Sequence, residues 1–140
     1  MEALDVSSKL LAKALATLQS SFSVLEEAKA TESPTLVLAA QDSIIQRFEY
    51  SYDSFWKFFK RYLEKNHKIL DVNSPKSVFR MLVKKQLCTE EQAEILIKMA
   101  DHRNATTHSY SIEQVRAILP YIPNYYACMQ NIFTQVKSWQ

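Results

Sequence analysis

The chain of 140 residues contains no glycine. That excludes the glycine-rich phosphate loop, the dinucleotide fingerprint, the nucleophile elbow and the calcium-binding loop, each of which needs a residue without a β-carbon at a fixed place. It also removes the preferred residue of primed hairpin turns, which argues against an all-β fold. Cysteine is scarce. Cys88 and Cys128 cannot build a disulfide framework, and with His67, His102 and His108 they form no CxxC, HxxxH or HExxH spacing, so no metal site is expected. Long apolar runs are missing as well: the stretch 36–40 is as long as any, far short of a membrane span. Glu2 and Asp5 stand where a signal peptide would need positive charge. The expectation is a cytoplasmic protein without a membrane segment.

What is present suffices for one hydrophobic core. The chain is 47% hydrophobic and 23% charged, near the average of soluble globular proteins, and its length predicts a single domain over 1–140. Net charge is only +2, but it is unevenly placed. Segment 57–85 holds nine basic residues against Glu64 and Asp71, a net of +7 that leaves −5 for the remainder. Such a surface attracts phosphates or an acidic partner; it is equally the solvated face of two ordinary helices.

Hydrophobic spacing is helical throughout, and no period-two pattern competes. Leu11, Leu15, Leu18, Phe22 and Leu25 form one stripe, predicting a first helix over about 4–29. Ser33 and Pro34 start a second, through about Asn66, whose stripe is Ile45, Phe48, Tyr52, Phe55, Phe59 and Tyr62. At 1.5 Å per residue it would be roughly 50 Å long, and only a bundle offers a partner surface of that length. Asn66 and Asn73 are expected to replace glycine as left-handed caps around the next connection. Ser74 and Pro75 open a short basic helix through Lys85. Thr89 with Gln92, and Ser111 with Gln114, read as capping boxes for two more helices. The last stripe (Val115, Leu119, Ile122, Tyr126, Met129, Phe133, Val136) should kink or split at Pro120 and Pro123. The fold class is all-α, an antiparallel bundle of four main helices with an additional short one.

The chemistry-bearing segment is 101–110, Asp-His-Arg-Asn-Ala-Thr-Thr-His-Ser-Tyr. Arg103 continues the apolar stripe of Leu96 and Ala100, so its side chain points inward and needs a carboxylate or a phosphate. Thr106, Thr107 and the cap at Ser111 predict a turn before His108. His102 reads as a solvated histidine. Glu49, Asp53 and Lys57 lie four residues apart on the second helix and read as a surface or interface salt-bridge ladder. The Phe48–Tyr52–Phe55–Phe59 stripe reads as core packing.

Arg103 to Tyr110 (R-N-x-x-x-H-x-Y) resembles the Arg-x4-His-x-Tyr signature of HEPN-fold proteins. Gln46, Arg47, Phe48, Glu49, Tyr50, Tyr52, Asp53, Trp56 and Lys57 resemble the Q-R-F-E-[FY]-x-[FY]-[ED]-x-x-W-K run of one branch, the nucleotidyltransferase substrate-binding protein family. The resemblance spans about 43–118. Asp53 stands where that family more often has glutamate, and Leu96 where it often has tryptophan. The resemblance implies a homodimeric four- or five-helix bundle that binds nucleotide or substrate beside a separate minimal nucleotidyltransferase encoded nearby, as a toxin–antitoxin-type module. ATP and Mg would enter only with that partner. It further implies Arg47, Glu49, Asp53, Lys57, Asn104 and Tyr110 as substrate- or nucleotide-binding residues, and Tyr110 as a site of nucleotide addition. The alternative it carries is a metal-independent endoribonuclease acting on RNA. There His108 would transfer protons, an imidazole titrating near neutrality, Arg103 would stabilise the phosphoryl charge and Asn104 would orient the ring.

Overall fold

The computed structural model describes residues 2–108 and 111–138. Four long helices, α1 (Glu2–Ala30), α2 (Pro34–His67), α4 (Glu90–His108) and α6 (Ile122–Ser138), are joined by the shorter α3 (Pro75–Lys84), α5 (Ile112–Arg116) and a 3₁₀ turn at Leu119–Tyr121. Their directions alternate. Arg61 donates to Ser7 and Ser51 donates to the Ala14 carbonyl, so α1 and α2 are antiparallel. His102 meets Tyr125 while Gln92 meets Cys128, so α4 and α6 are antiparallel too.

The helix starts follow the sequence. Ser33 caps α2 by accepting from the Leu36 amide, with Pro34 as the first helical residue. Ser74 and Ser77 form a reciprocal capping box for α3. Thr89 and Gln92 do the same for α4: the Gln92 amide donates to Thr89 at 3.0 Å and the Thr89 amide donates to Gln92 Oε1 at 2.9 Å. Such caps satisfy amides that have no partner in a helix's first turn. Ser111 caps α5 by accepting from the Gln114 amide.

The left-handed residues are not the expected asparagines. Glu32, Lys68 and Gln86 carry φ near +58°. Lys68 closes α2, its amide donating to the Leu63 carbonyl, because α2 runs one residue past Asn66 and the cap falls where the helix stops. A second correction concerns Thr106 and Thr107, which do not make a turn: α4 continues through His108. The Thr106 hydroxyl lies 2.7 Å from the Arg103 carbonyl, a back-bond within the helix that accommodates a β-branched residue there. A third lies in the last stripe. The prolines do split it, but the tighter 3₁₀ turn shifts the register, so Ile118 and Tyr125 are buried while Leu119 and Tyr126 are only partly so.

One core joins every long helix. Phe48, Phe55, Phe58 and Phe59 of α2 are fully buried between Leu11, Leu15 and Leu18 of α1 and Leu96, Met99, Met129 and Ile132 of α4 and α6. Aromatic edges lock the helices together: Phe58 meets Phe133 at 5.3 Å, Tyr52 meets Phe79 at 6.2 Å and Phe22 meets Tyr126 at 5.9 Å, all near-perpendicular. The α2 aromatic stripe is core, as its period required.

Candidate functional site

The inward-pointing residues of α2 tie it to its neighbours, and the flank beside them faces the last two turns of α4. There the Arg103 guanidinium meets two carboxylates. Its Nη1 donates to Glu49 Oε2 at 3.1 Å, and its Nη2 lies 3.5 Å from Asp53 Oδ2. Glu49 and Asp53 are four residues apart, so both project from the same side of α2. Nη1 also donates to the hydroxyls of Thr106 and Thr107, one turn further along α4. Thr106 in turn lies 2.7 Å from Glu49 Oε2. The Arg103 side chain is only 20% exposed, and its Nε is buried without a partner among the described residues.

This arrangement answers the demand that the sequence set: an arginine on an apolar stripe finds carboxylates. It also corrects the ladder expectation, because Asp53 turns to Arg103 rather than onward to Lys57, which is exposed. One guanidinium faces two carboxylates, so the cluster carries a single negative charge. A phosphate approaching Arg103 would compete with Glu49 and Asp53 for its positive charge. Tyr52 lies beside the cluster. Burial first, then the Asp53 charge, push its phenol up to about 12, partly offset by Arg103, so it remains a neutral hydroxyl at physiological pH.

A second ion pair, Arg116 Nη2 to Asp42 Oδ1 at 3.0 Å, ties α5 to the start of α2. Between the two arginine–carboxylate pairs runs a groove of about 500 Å³ with Ile45, Ile112 and Val115 as apolar walls and Gln46 and Ser111 as polar edges. Asp42 and Arg116 carried no sequence signal, because their pairing depends on a fold that brings positions 74 residues apart together.

His102 is not the solvated histidine expected. It is half-buried, its Nδ1 lies 2.6 Å from the Tyr125 hydroxyl, and its ring packs on Tyr121 and Tyr125. Burial, together with the nearby Lys98 ammonium, lowers its pKa below the ordinary 6.5. The Tyr125 phenol, buried beneath it, is pushed up to about 12. Cys88 and Cys128 are buried thiols that burial pushes up to about 11 and about 12, so neither is an active nucleophile.

The remaining sequence candidates divide. Asn104 is exposed on α4. His108 is the last residue of α4, which places its backbone about 140° around the helix from Arg103 at 100° per residue. Tyr110 lies outside the described residues. Arg47 is exposed and lines a different groove, between α1 and α2, so it does not join Arg103. Of the eight candidate residues, Arg103, Glu49 and Asp53 therefore share a contact network.

An antiparallel helical bundle with an arginine clamped between its second and third long helices, α2 and α4, defines the class: an all-α fold of the HEPN type. The fold is similar to that of a Shewanella oneidensis HEPN toxin, tri-AMPylated and in complex with an MNT antitoxin, at TM-score 0.69 and 15% identity over 92% of this chain and 97% of that one. It is also similar to a toxin–antitoxin structure, MntA-HpeT, at TM-score 0.65 and 15% identity over 92% of this chain and 98% of that one. A Thermus thermophilus protein of known crystal structure is nearer in sequence, 33% identical over 89% of this chain and 97% of that one, with TM-score 0.73. No curated protein sequence matches significantly. The model of the nucleotidyltransferase substrate binding protein-like family matches residues 12–138, and the chain belongs to that family. Among the described residues no helix is long and apolar enough to cross a membrane.

Proposed function

We propose that this protein is the substrate-binding subunit of a two-chain system, pairing in the cytoplasm with a separate minimal nucleotidyltransferase in a toxin–antitoxin-type module. The observation that carries this reading is the family match over 12–138, joined to a fold shared with a HEPN toxin that is found with an MNT antitoxin. The absence of glycine supports it, because a nucleotidyltransferase's own phosphate-gripping turn cannot be built from this sequence. ATP and Mg would come with the partner. The groove beside Glu49 and Arg116 is where this subunit would present its substrate, with Arg103 of α4 bonded to its Glu49 wall. Tyr110 is the expected acceptor of a nucleotide, the relative's AMPylated state being the precedent. Two copies of the chain are expected to associate.

The state of Arg103 favours binding over cleavage, since Glu49 and Asp53 already occupy the guanidinium that a nuclease would turn on phosphate. The test is to co-express the chain with the nucleotidyltransferase encoded beside it, purify the pair and incubate it with ATP and Mg. A stable complex and a mass increase on Tyr110, absent from Tyr110→Phe, support the reading. RNA degradation by the chain alone in EDTA, abolished by His108→Ala, with no complex formed, would replace it with the endoribonuclease.

A further inference from the structure

Outside the Arg103 cluster, α2 presents an outward stripe at helical spacing: Arg47, Tyr50, Ser54, Lys57 and Arg61. Against its first half lies a groove of about 290 Å³ shared with α1, where Leu10 and Lys13 face Arg47, Tyr50 and Asp53. Three large apolar residues stand open to solvent along this seam: Leu10 is 57% exposed, Val6 one turn before it 56%, and Tyr50 50%. Arg61 reaches across the same seam to Ser7, which extends the face past Val6. Lys13, Arg47, Lys57 and Arg61 have no carboxylate within ion-pair distance among the described residues, and Asp53, the acid lining this groove, pairs with Arg103 and leaves the four cations in excess.

A centre of tyrosine and aliphatic side chains with a cationic rim is the composition of a protein-binding patch, in which tyrosine and arginine carry the largest share of the energy. We propose that the α1–α2 seam centred on Leu10 and Tyr50 docks an acidic-rimmed, apolar-centred surface of the partner nucleotidyltransferase. The inference rests on the pairing proposed above and adds which face does it. Charge selects this occupant over a second copy of the chain, because two such faces brought together would set cations against cations. The aliphatic Val6 and Leu10 select it over single-stranded RNA, whose bases need aromatic platforms and gain little from branched alkyl groups. Arg47, which the sequence grouped with the nucleotide-binding residues, belongs by geometry to this docking face.

The experiment measures the affinity of the co-purified nucleotidyltransferase for the full-length wild-type chain and for Leu10→Asp, Tyr50→Ala, the double variant Arg47→Glu/Lys57→Glu and the conservative Arg47→Lys. Circular dichroism checks the fold of each, and these exposed positions should leave it intact. Loss of about tenfold or more in affinity for the first three, with Arg47→Lys near wild type, supports the docking face. In the wild-type complex, hydrogen exchange should slow at 6–17 and 47–61. Wild-type binding with the variants unchanged overturns the face and leaves the pairing standing. No binding by the wild-type chain removes the pairing and the face together. Unchanged nucleotidyltransferase binding with loss of self-association, or of binding to a labelled oligouridylate, assigns the face to a second copy or to RNA and overturns the proposal.

Discussion

Arg103 shows how much one side chain can organise. Its guanidinium holds two α2 carboxylates that would otherwise repel one another across a half-buried flank, and it does so from a helix remote in sequence. Arg103→Ala should therefore destabilise the protein by about 1–3 kcal/mol, because Glu49 and Asp53 lose their shared cation. The urea midpoint should fall, and Glu49→Gln should lower it less, since Arg103 keeps Asp53. His102 gives a pH dependence of definite sign. Its folded pKa lies below the ordinary 6.5, so the unfolded chain binds more protons than the folded one as pH drops through that value. Stability is then fully present above about 6.5 and is lost as pH falls toward the folded pKa. His102→Gln should flatten this slope of melting temperature against pH, measured from about pH 7 to pH 5. The need of Arg103 for an anion was legible from its place on an apolar stripe. The partnership of His102 with Tyr125 was not, because adjacent residues on a helix give no hint of what a distant helix brings to them.

At the scale of elements, caps and breakers set the boundaries, and the absence of glycine left a mark. Lys68 and Gln86 take left-handed backbone despite carrying a β-carbon, a conformation that costs an ordinary residue roughly 1–2 kcal/mol. Lys68→Gly should raise stability by about 0.5–1 kcal/mol at the end of α2, read from the urea midpoint. The starts of α2, α3 and α4 were legible because Ser33–Pro34, Ser74–Pro75 and Thr89–Gln92 are local signals acting within one turn. The end of α4 was not: β-branched threonines signal a turn, but the bond from Arg103 within α4 and the tertiary bond to Glu49 of α2 hold Thr106 in a helix.

Across the whole molecule a single core ties α1, α2, α4 and α6 together, with α3 fastened through Phe79 against Tyr52 and Phe55. Unfolding should therefore be one cooperative transition, with helical and aromatic dichroism coinciding on heating. Phe79→Ala should cost about 3–5 kcal/mol in that same transition, consistent with a fully buried aromatic. The sequence by itself determined the all-helical class, the phases of α1 and α2 and the inward aim of Arg103, because helical periodicity and capping are written within a few residues of one another. Tertiary structure alone decided which carboxylates Arg103 meets, that Arg116 answers Asp42 and that Arg47 faces α1 instead of the Arg103 cluster. Those outcomes depend on how rigid helices rotate and pack against each other, and the sidedness of a helix is fixed only when its neighbours are in place.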